Sequence, residues 1–491
     1  MKTDIVLVKP GSQKSLYGSL SEFQLTAIEP PLWGAILAAY LESKGYSVIL
    51  LDAEAENWGY QEAAEQVASI DPILACVVVS GSNPSASTMN MTGAGQIITL
   101  IKEQNGEIQT LLAGLHPSAL PERTVREEAA DFVCQGEGFY TIPSLIDALK
   151  SRVKDYSIPG LWYQRGGEVI SNPRPPILEN LDEVPQPAWQ KLPMEKYRAH
   201  NWHCFDDIQH RQPYGVLYTS LGCPFKCSFC CINALFGKNT IRYRSTDSVV
   251  REIDFLVNEY GIRHIKIIDE MFAMNERRVI ELCDRIIERK YNLNMWAYAR
   301  VNTVTEKMLV RMKQAGINWL AYGFESGSKR VIESVTKGYD VSSVERIVKL
   351  SYDLGFYICA NYIFGLPEDD YDSMNETLEL MFRINAEWAN IYSAMAYPGS
   401  HLYRDALAQE LPLPEQWHGF SQYSYEALPL PSKYLTGGQI LAFRDYAFDA
   451  YYSNPRYLNM MEKKFGSAVS SHILDMASNK LERKHSNYLA E

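Results

Sequence analysis

Apolar residues along this chain alternate between two spacings. Residues 4–8, 47–52, 73–80 and 110–114 are short apolar or β-branched runs, the length and composition of buried strands. Between them, Leu32 to Lys44 and Ala94 to Lys102 carry their apolar residues at helical spacing. Strands alternating with helices predict a parallel, doubly wound sheet with its ligand crevice beyond the carboxyl ends of the strands. The pattern then breaks. Pro159, Pro173, Pro175, Pro176, Pro185, Pro187 and Pro193 interrupt any long element over residues 155–200, which reads as a linker. From Tyr214 the alternation resumes, with strands at 216–218, 264–268, 295–298, 319–322, 357–364 and 390–395 and helices between them. Six βα repeats predict a partial, six-stranded version of the eight-stranded barrel, with function on the loops after the strands. Beyond residue 405 the chain reads as helical and aromatic, with Tyr434, Phe443, Tyr446, Phe448, Tyr451 and Tyr452. The expected fold class is therefore α/β: a doubly wound domain over 1–150, a linker over 151–210, a partial (β/α)6 barrel over 211–404 and a mostly helical extension over 405–491. There is no internal repeat and no low-complexity tract.

Bulk properties narrow the function. The 491 residues are 46% hydrophobic and 22% charged, as in ordinary globular proteins of several domains. A net charge of −12 argues against a nucleic-acid partner, which would need a basic surface, but leaves room for a locally basic pocket. No run approaches the roughly 18–20 apolar residues of a membrane span, and Met1 to Val8 reads directly into a strand. The expected location is the cytoplasm. Nine cysteines, mostly isolated in apolar surroundings like Cys76, Cys283 and Cys359, do not form a disulfide framework.

Three of them lie within eight residues, in Leu221-Gly222-Cys223-Pro224-Phe225-Lys226-Cys227-Ser228-Phe229-Cys230, directly after the first barrel strand. Thiolates so spaced on a short loop can converge on one metal centre. A cubane iron–sulfur cluster normally takes four cysteines; three would leave one iron open to a substrate. The alternatives are a structural zinc site or incidental thiols. Zinc would want a fourth ligand; Cys231 is badly placed for that, and His203 and Cys204 lie across a loop of unknown course.

This segment resembles the signature of the radical S-adenosylmethionine (SAM) superfamily, C-x3-C-x2-C with an aromatic residue, here Phe229, before the last cysteine. The resemblance implies a [4Fe–4S] cluster on Cys223, Cys227 and Cys230, whose open iron binds SAM and whose electron cleaves it to a 5′-deoxyadenosyl radical. An external electron donor such as flavodoxin or ferredoxin would be required. The other family landmarks fall at strand ends. Asp269 and Glu270, in Ile268-Asp269-Glu270-Met271, match the groups that hold the SAM amino group. Arg300 matches a partner of its carboxylate. Gly323, Glu325 and Ser326 match the element near the ribose, Leu366 and Pro367 the segment on adenine, and Tyr397-Pro398-Gly399-Ser400 the last turn.

Over residues 1–400 the chain also resembles the cobalamin-binding class of this superfamily, which implies that the first domain is Rossmann-like and binds cobalamin. The positions are Glu29-Pro30-Pro31-Leu32, Gly34, Gly45 with Asp52, Ser80-Gly81-Ser82-Asn83, Ala113-Gly114-Leu115-His116-Pro117 and Gly136-Glu137-Gly138. From these, Ser80, Ser82, Asn83, Gly114, His116, Gly136 and Glu137 are expected cofactor contacts. The D-x-H-x-x-G motif that supplies a histidine to cobalt is absent, as it generally is from this class.

The resemblance thus implies a methyltransferase acting on an unactivated carbon, or on phosphorus, of a small molecule. One SAM would methylate the cobalamin; a second would supply the radical that activates the substrate. A ring closure or rearrangement without methyl transfer is the alternative, and a non-catalytic Fe–S carrier or sensor is a third reading that the SAM-contact motifs oppose. A tRNA methylthiotransferase would carry three further cluster cysteines in its first domain, where only Cys76 and Cys134 occur. Trp417, His418 and Tyr423 are candidates to face the substrate.

Overall fold

The computed structural model describes residues 2–11, 16, 26–81, 85–151 and 155–486. Ser82 and Asn83 lie outside them. The first sheet has the order β2-β1-β3-β4-β5-β6-β7. Its parallel part is β1 (Ile5–Lys9), β2 (Val48–Asp52), β3 (Leu74–Val79), β4 (Gln109–Gly114) and β5 (Phe132–Cys134). Side chains alternate across it. Ile5, Leu7, Cys76 and Val78 belong to the core on one face, and Val6, Val8, Ala75 and Val77 to the core on the other. A parallel sheet covered on both faces needs apolar residues at every position, which is why its strands read as unbroken runs. The expected strands are present, together with β5, too short to register as a run.

The segment expected as a linker does more than connect. The hairpin β6 (Leu161–Arg165) and β7 (Glu168–Ser171) extends the first sheet antiparallel from β5. The prolines flank these strands, so they limit element length without excluding strands.

The second sheet is the expected open barrel. Its strands are β8 (Tyr214–Leu217), β11 (His264–Ile267), β12 (Asn294–Ala299), β13 (Ile317–Glu325), β14 (Tyr357–Phe364) and β15 (Trp388–Ser393), all parallel and paired in chain order. A small antiparallel pair, β9 (Ser220–Leu221) with β10 (Arg242–Tyr243), follows β8.

Helix Leu32–Ser43 is buried at every residue from Leu32 to Leu41. A helix apolar all round is one packed on all sides, and this one joins the core shared by the first sheet and the barrel. Glu29 bridges the same junction, bonded to Lys266 of β11 at 3.0 Å and accepting from Tyr214 Oη of β8 at 3.4 Å. The C-terminal helices, Gly437–Tyr452, Pro455–Phe465 and Ser467–Ser478, close over β15. Tyr451, Tyr452 and Tyr457 are buried and donate their hydroxyls to the carbonyls of Ala386, Ala389 and Glu387. Tyr434 and Tyr446 are exposed, so the aromatic residues of this region divide between core and surface. Among the described residues no helix is long and apolar enough to cross a membrane.

Candidate active site

The carboxyl ends of both sheets open on one cavity of about 780 Å³. On the barrel side its wall includes Cys223, Cys227, Cys230, Phe229 and Glu270. The loop carrying the thiols leaves β9 through Gly222, at φ +90°, where a Cβ would stand 2.3 Å from the Thr240 carbonyl oxygen. Only glycine fits so close a backbone approach. Burial pushes the Cys223 thiol up to about 11 and the Cys230 thiol to about 12. Bare, these sulfurs keep their protons at neutral pH; a bound metal ion must displace them.

Glu270 reaches the cavity after β11. Its Oε2 accepts the Gly222 N–H at 2.9 Å and so ties the cysteine loop to the strand end. Its buried Oε1 has no partner among the described residues. Burial, reinforced by the adjacent Asp269 charge, raises this carboxyl to about 8. Asp269 itself lies behind the wall. It is fully buried and accepts the Thr219 N–H and hydroxyl, both at 2.6 Å, and the Ser220 hydroxyl at 2.5 Å. These three bonds tie it to the β8–β9 connection.

Arg300, Gly323 and Glu325 also line the cavity. Arg300 lays its guanidinium over the Phe225 ring at 3.8 Å and donates to Cys227 Sγ at 3.5 Å and to the Lys337 carbonyl. The pairing register of β13 shifts between Gly323 and Glu325, and Glu325 takes φ +59°. Such a bulge re-aims a side chain; here it brings Glu325 onto the cavity, where it pairs with Lys337. Lys337 had no motif to mark it. Ser326 turns away, fully buried between Thr377 Oγ1 at 3.0 Å and the Ser328 N–H at 3.1 Å. Leu366 sits beneath Phe229 in a small apolar cluster with Val331 and Val335. Pro367 accepts the Lys433 N–H through its carbonyl. Neither residue lines the cavity.

The first sheet contributes Ser80, Gly81, Gly114 and Leu115 to the opposite wall. Gly114 has φ +127°, and a Cβ there would stand 2.4 Å from the Val79 carbonyl oxygen. The other described positions expected there do not line the cavity. His116 is buried behind the wall, its Nδ1 3.0 Å from Thr88 Oγ1 and its ring edge-on to Trp417. Burial lowers it to about 3, so it stays neutral. Gly136 packs on Pro175, with its N–H on Ser118 Oγ. Glu137 pairs with Arg242 at 2.5 Å and accepts the Leu178 N–H at 2.9 Å, clamping the first domain to the barrel. From the C-terminal region Tyr423 reaches the cavity, whereas Trp417 bonds to Glu128 and His418 contacts Thr92.

Two stretches match known family models: residues 217–381 the radical SAM superfamily and residues 24–146 the B12 binding domain. The chain is 31% identical over 430 residues to the uncharacterized methyltransferase PH0819 of Pyrococcus horikoshii, covering 87% of this chain and 89% of that one. The chain belongs to the radical SAM superfamily, in its cobalamin-binding class. It is also 26% identical over 385 residues to the anaerobic magnesium-protoporphyrin IX monomethyl ester cyclase of Rubrivivax gelatinosus, over 77% of this chain and 66% of that one. The fold matches the cobalamin-dependent SAM radical enzyme OxsB with TM-score 0.72 at 18% identity, covering 96% of this chain and 71% of that one.

The cofactors of this radical SAM enzyme are a [4Fe–4S] cluster, SAM and cobalamin. The residues present fit them. Three thiols share a wall with an unpartnered carboxyl oxygen of Glu270, and the far end carries two more buried unpartnered groups, Ser393 Oγ and Gln422 Nε2. Buried polar atoms normally have partners, and these three offer a ligand in the cavity hydrogen-bonding groups that no described residue uses. As a radical SAM enzyme the protein also needs a small-molecule substrate and a reductant.

Proposed function

We propose that this protein is a cobalamin-dependent radical SAM methyltransferase that methylates an unactivated carbon, or phosphorus, of a small molecule. One observation carries the reading: a single cavity has the three-thiol loop on one wall and the open strand ends of the B12-binding domain on the other. When bound, the three cofactors supply a reducing electron, a 5′-deoxyadenosyl radical and a transferable methyl group.

The chain's own residues bind, orient and exclude water. Cys223, Cys227 and Cys230 hold the iron. Glu270 and Arg300 stand beside them with a carboxyl and a guanidinium, suited to an amino and a carboxylate group. Glu325 offers acceptor oxygens to ribose hydroxyls, and Lys337 keeps that carboxylate in place. Ser80 and the Gly114 backbone form a low wall that admits a bulky planar ligand; we assign Ser82 and Asn83 to the same wall from sequence alone. Trp296, Tyr298 and Tyr392 face the space between, apolar walls that shield a radical from solvent. We further propose a cytoplasmic location, an electron donor such as flavodoxin or ferredoxin, and no nucleic-acid partner, the last from the net charge of −12.

The test is anaerobic. The cluster is reconstituted, hydroxocobalamin supplied, and bound cobalt and iron measured after desalting. About one cobalt and four iron per chain are expected. With substrate candidates, S-adenosylhomocysteine and 5′-deoxyadenosine should form together. Cobalt at background would end the cobalamin reading. The similarity to a cyclase supports a second reading, rearrangement without methyl transfer, which predicts 5′-deoxyadenosine alone.

A further inference from the structure

The mouth of the barrel opposite the cofactor loops is stoppered by the 3-10 turn Trp202–Asp207, drawn from the segment between the two sheets. Trp202 inserts between Trp296 and Trp319, with ring centroids 5.2 Å from each. The next two residues, His203 and Cys204, meet His264, the first residue of β11. One ring nitrogen of each histidine and Cys204 Sγ all lie within 4.8 Å of one another.

The hydrogen bonding around these groups fixes both rings, and a cation would replace the Asn294 amide at His264 Nδ1. His203 is fully buried. Its Nε2 donates to the Asn294 carbonyl at 3.0 Å, while its buried Nδ1 has no partner among the described residues. A neutral imidazole whose N–H is fixed on a carbonyl keeps its other nitrogen as a lone pair, the arrangement that orients metal-binding histidines. His264 Nδ1 lies 3.6 Å from Cys204 Sγ and 3.2 Å from Asn294 Nδ2, and since the amide can only donate there, Nδ1 is also a lone-pair nitrogen. Asn294 Nδ2 donates as well to the His203 carbonyl at 2.9 Å, so one amide braces both histidines. Cys204 is buried, and burial pushes its thiol up to about 12; without a cation it keeps its proton.

We propose that His203, Cys204 and His264 form a second metal site, distinct from the cluster, that takes a zinc-class divalent cation and pins the stopper to the barrel. The donor set, two imidazole nitrogens and one thiolate, suits zinc or a metal like it. Binding exchanges the thiol proton for the metal: the S–H bond breaks, an S–metal bond forms, and the proton leaves to solvent. His264 is only partly buried, which leaves the fourth position to water. The cation closes the amino-terminal mouth of a barrel whose other end carries radical chemistry, and so keeps solvent from that side.

The test uses the full chain, cluster-loaded and without added cobalamin, exposed to zinc and desalted against a mild chelator. Zinc and iron are counted together, and the zinc absorption edge reports its ligands. The proposal expects about one zinc per chain, with one sulfur near 2.3 Å and nitrogens near 2.0–2.1 Å. Cys204→Ser and His264→Gln should each lower retained zinc at least tenfold while iron per chain stays unchanged, which also shows that the variants fold. Zinc at background in the parent protein would overturn the proposal. So would zinc that survives both substitutions, or that disappears only when Cys223, Cys227 and Cys230 are replaced.

Discussion

Both parallel sheets end on the same cavity, yet they furnish it differently. The barrel presents three thiols, Glu270, Arg300 and Glu325, whereas the first sheet presents Ser80, Gly81 and the Gly114 backbone beside the ion-paired Lys9 and Glu54. On that side the charged groups are held in ion pairs, Lys9 with Glu54, Glu29 with Lys266 and Glu137 with Arg242, and His116 lies behind the wall on Thr88. The difference follows from the ligands. A cluster and a zwitterionic amino acid are held by charge and covalent donors. A large planar ring carrying amides is held by room, shape and hydrogen bonds from backbone and small residues. On the proposed assignment the two walls recognise by different means, and substitutions should separate them.

The largest separation is expected from replacing any one of Cys223, Cys227 and Cys230 by Ala. Iron content and 5′-deoxyadenosine formation should fall to background while cobalamin retention is unchanged; parallel loss of both would erase the division between the walls. Gly114→Val should do the reverse. It places a Cβ 2.4 Å from the Val79 carbonyl at a positive φ, strain of about 1–3 kcal/mol, and should weaken cobalamin retention roughly 10–100-fold with iron content intact.

Lys337→Met leaves Glu325 as an uncompensated buried charge. Breaking a buried pair from one side costs about 3–5 kcal/mol, so the melting temperature should drop measurably, and adding Glu325→Gln should restore most of it. Glu270 gives a pH-dependent form of the same test. Its folded value of about 8 lies above the ordinary carboxylate value, so the folded apo-protein binds the extra proton between them. The contribution of this one group to stability should therefore be fully present below about 4.5 and lost as pH rises to about 8. Glu270→Gln should flatten that decline in unfolding curves recorded across the range, and an unchanged slope would count against the burial argument.

The smallest effect is expected at His116. Because it is neutral, fully buried and behind the wall, His116→Gln should leave the electron paramagnetic resonance of bound cob(II)alamin unchanged. The loss of nitrogen splitting in the variant would place it on cobalt after all.

Much of this molecule was legible from one sequence. Strand and helix periodicity delivered the barrel and the first four strands of the other sheet, because a strand buried on both faces must be apolar throughout and an amphipathic helix must repeat at its own pitch. The cysteine loop was legible for a related reason: ligands on one short loop keep their geometry within a few residues. The same logic did not reach the side-chain contacts of Asp269 and Ser326, which sit inside the right motifs with their hydrogen bonds turned inward. Adjacent residues at a strand end point to opposite sides, and the motif alone does not say which of Asp269 and Glu270 faces the cavity.

What the sequence determined by itself was therefore local: the two alternating patterns, the cluster loop and the family. Tertiary structure alone decided that Lys337 meets Glu325, that Glu29 reaches Lys266, that Glu137 clamps Arg242, and that His203 and Cys204 stand beside His264. Those pairs lie from 12 to 237 residues apart. Contacts at such separations are set by how whole elements pack and how their charges are desolvated, and no spacing along the chain encodes them.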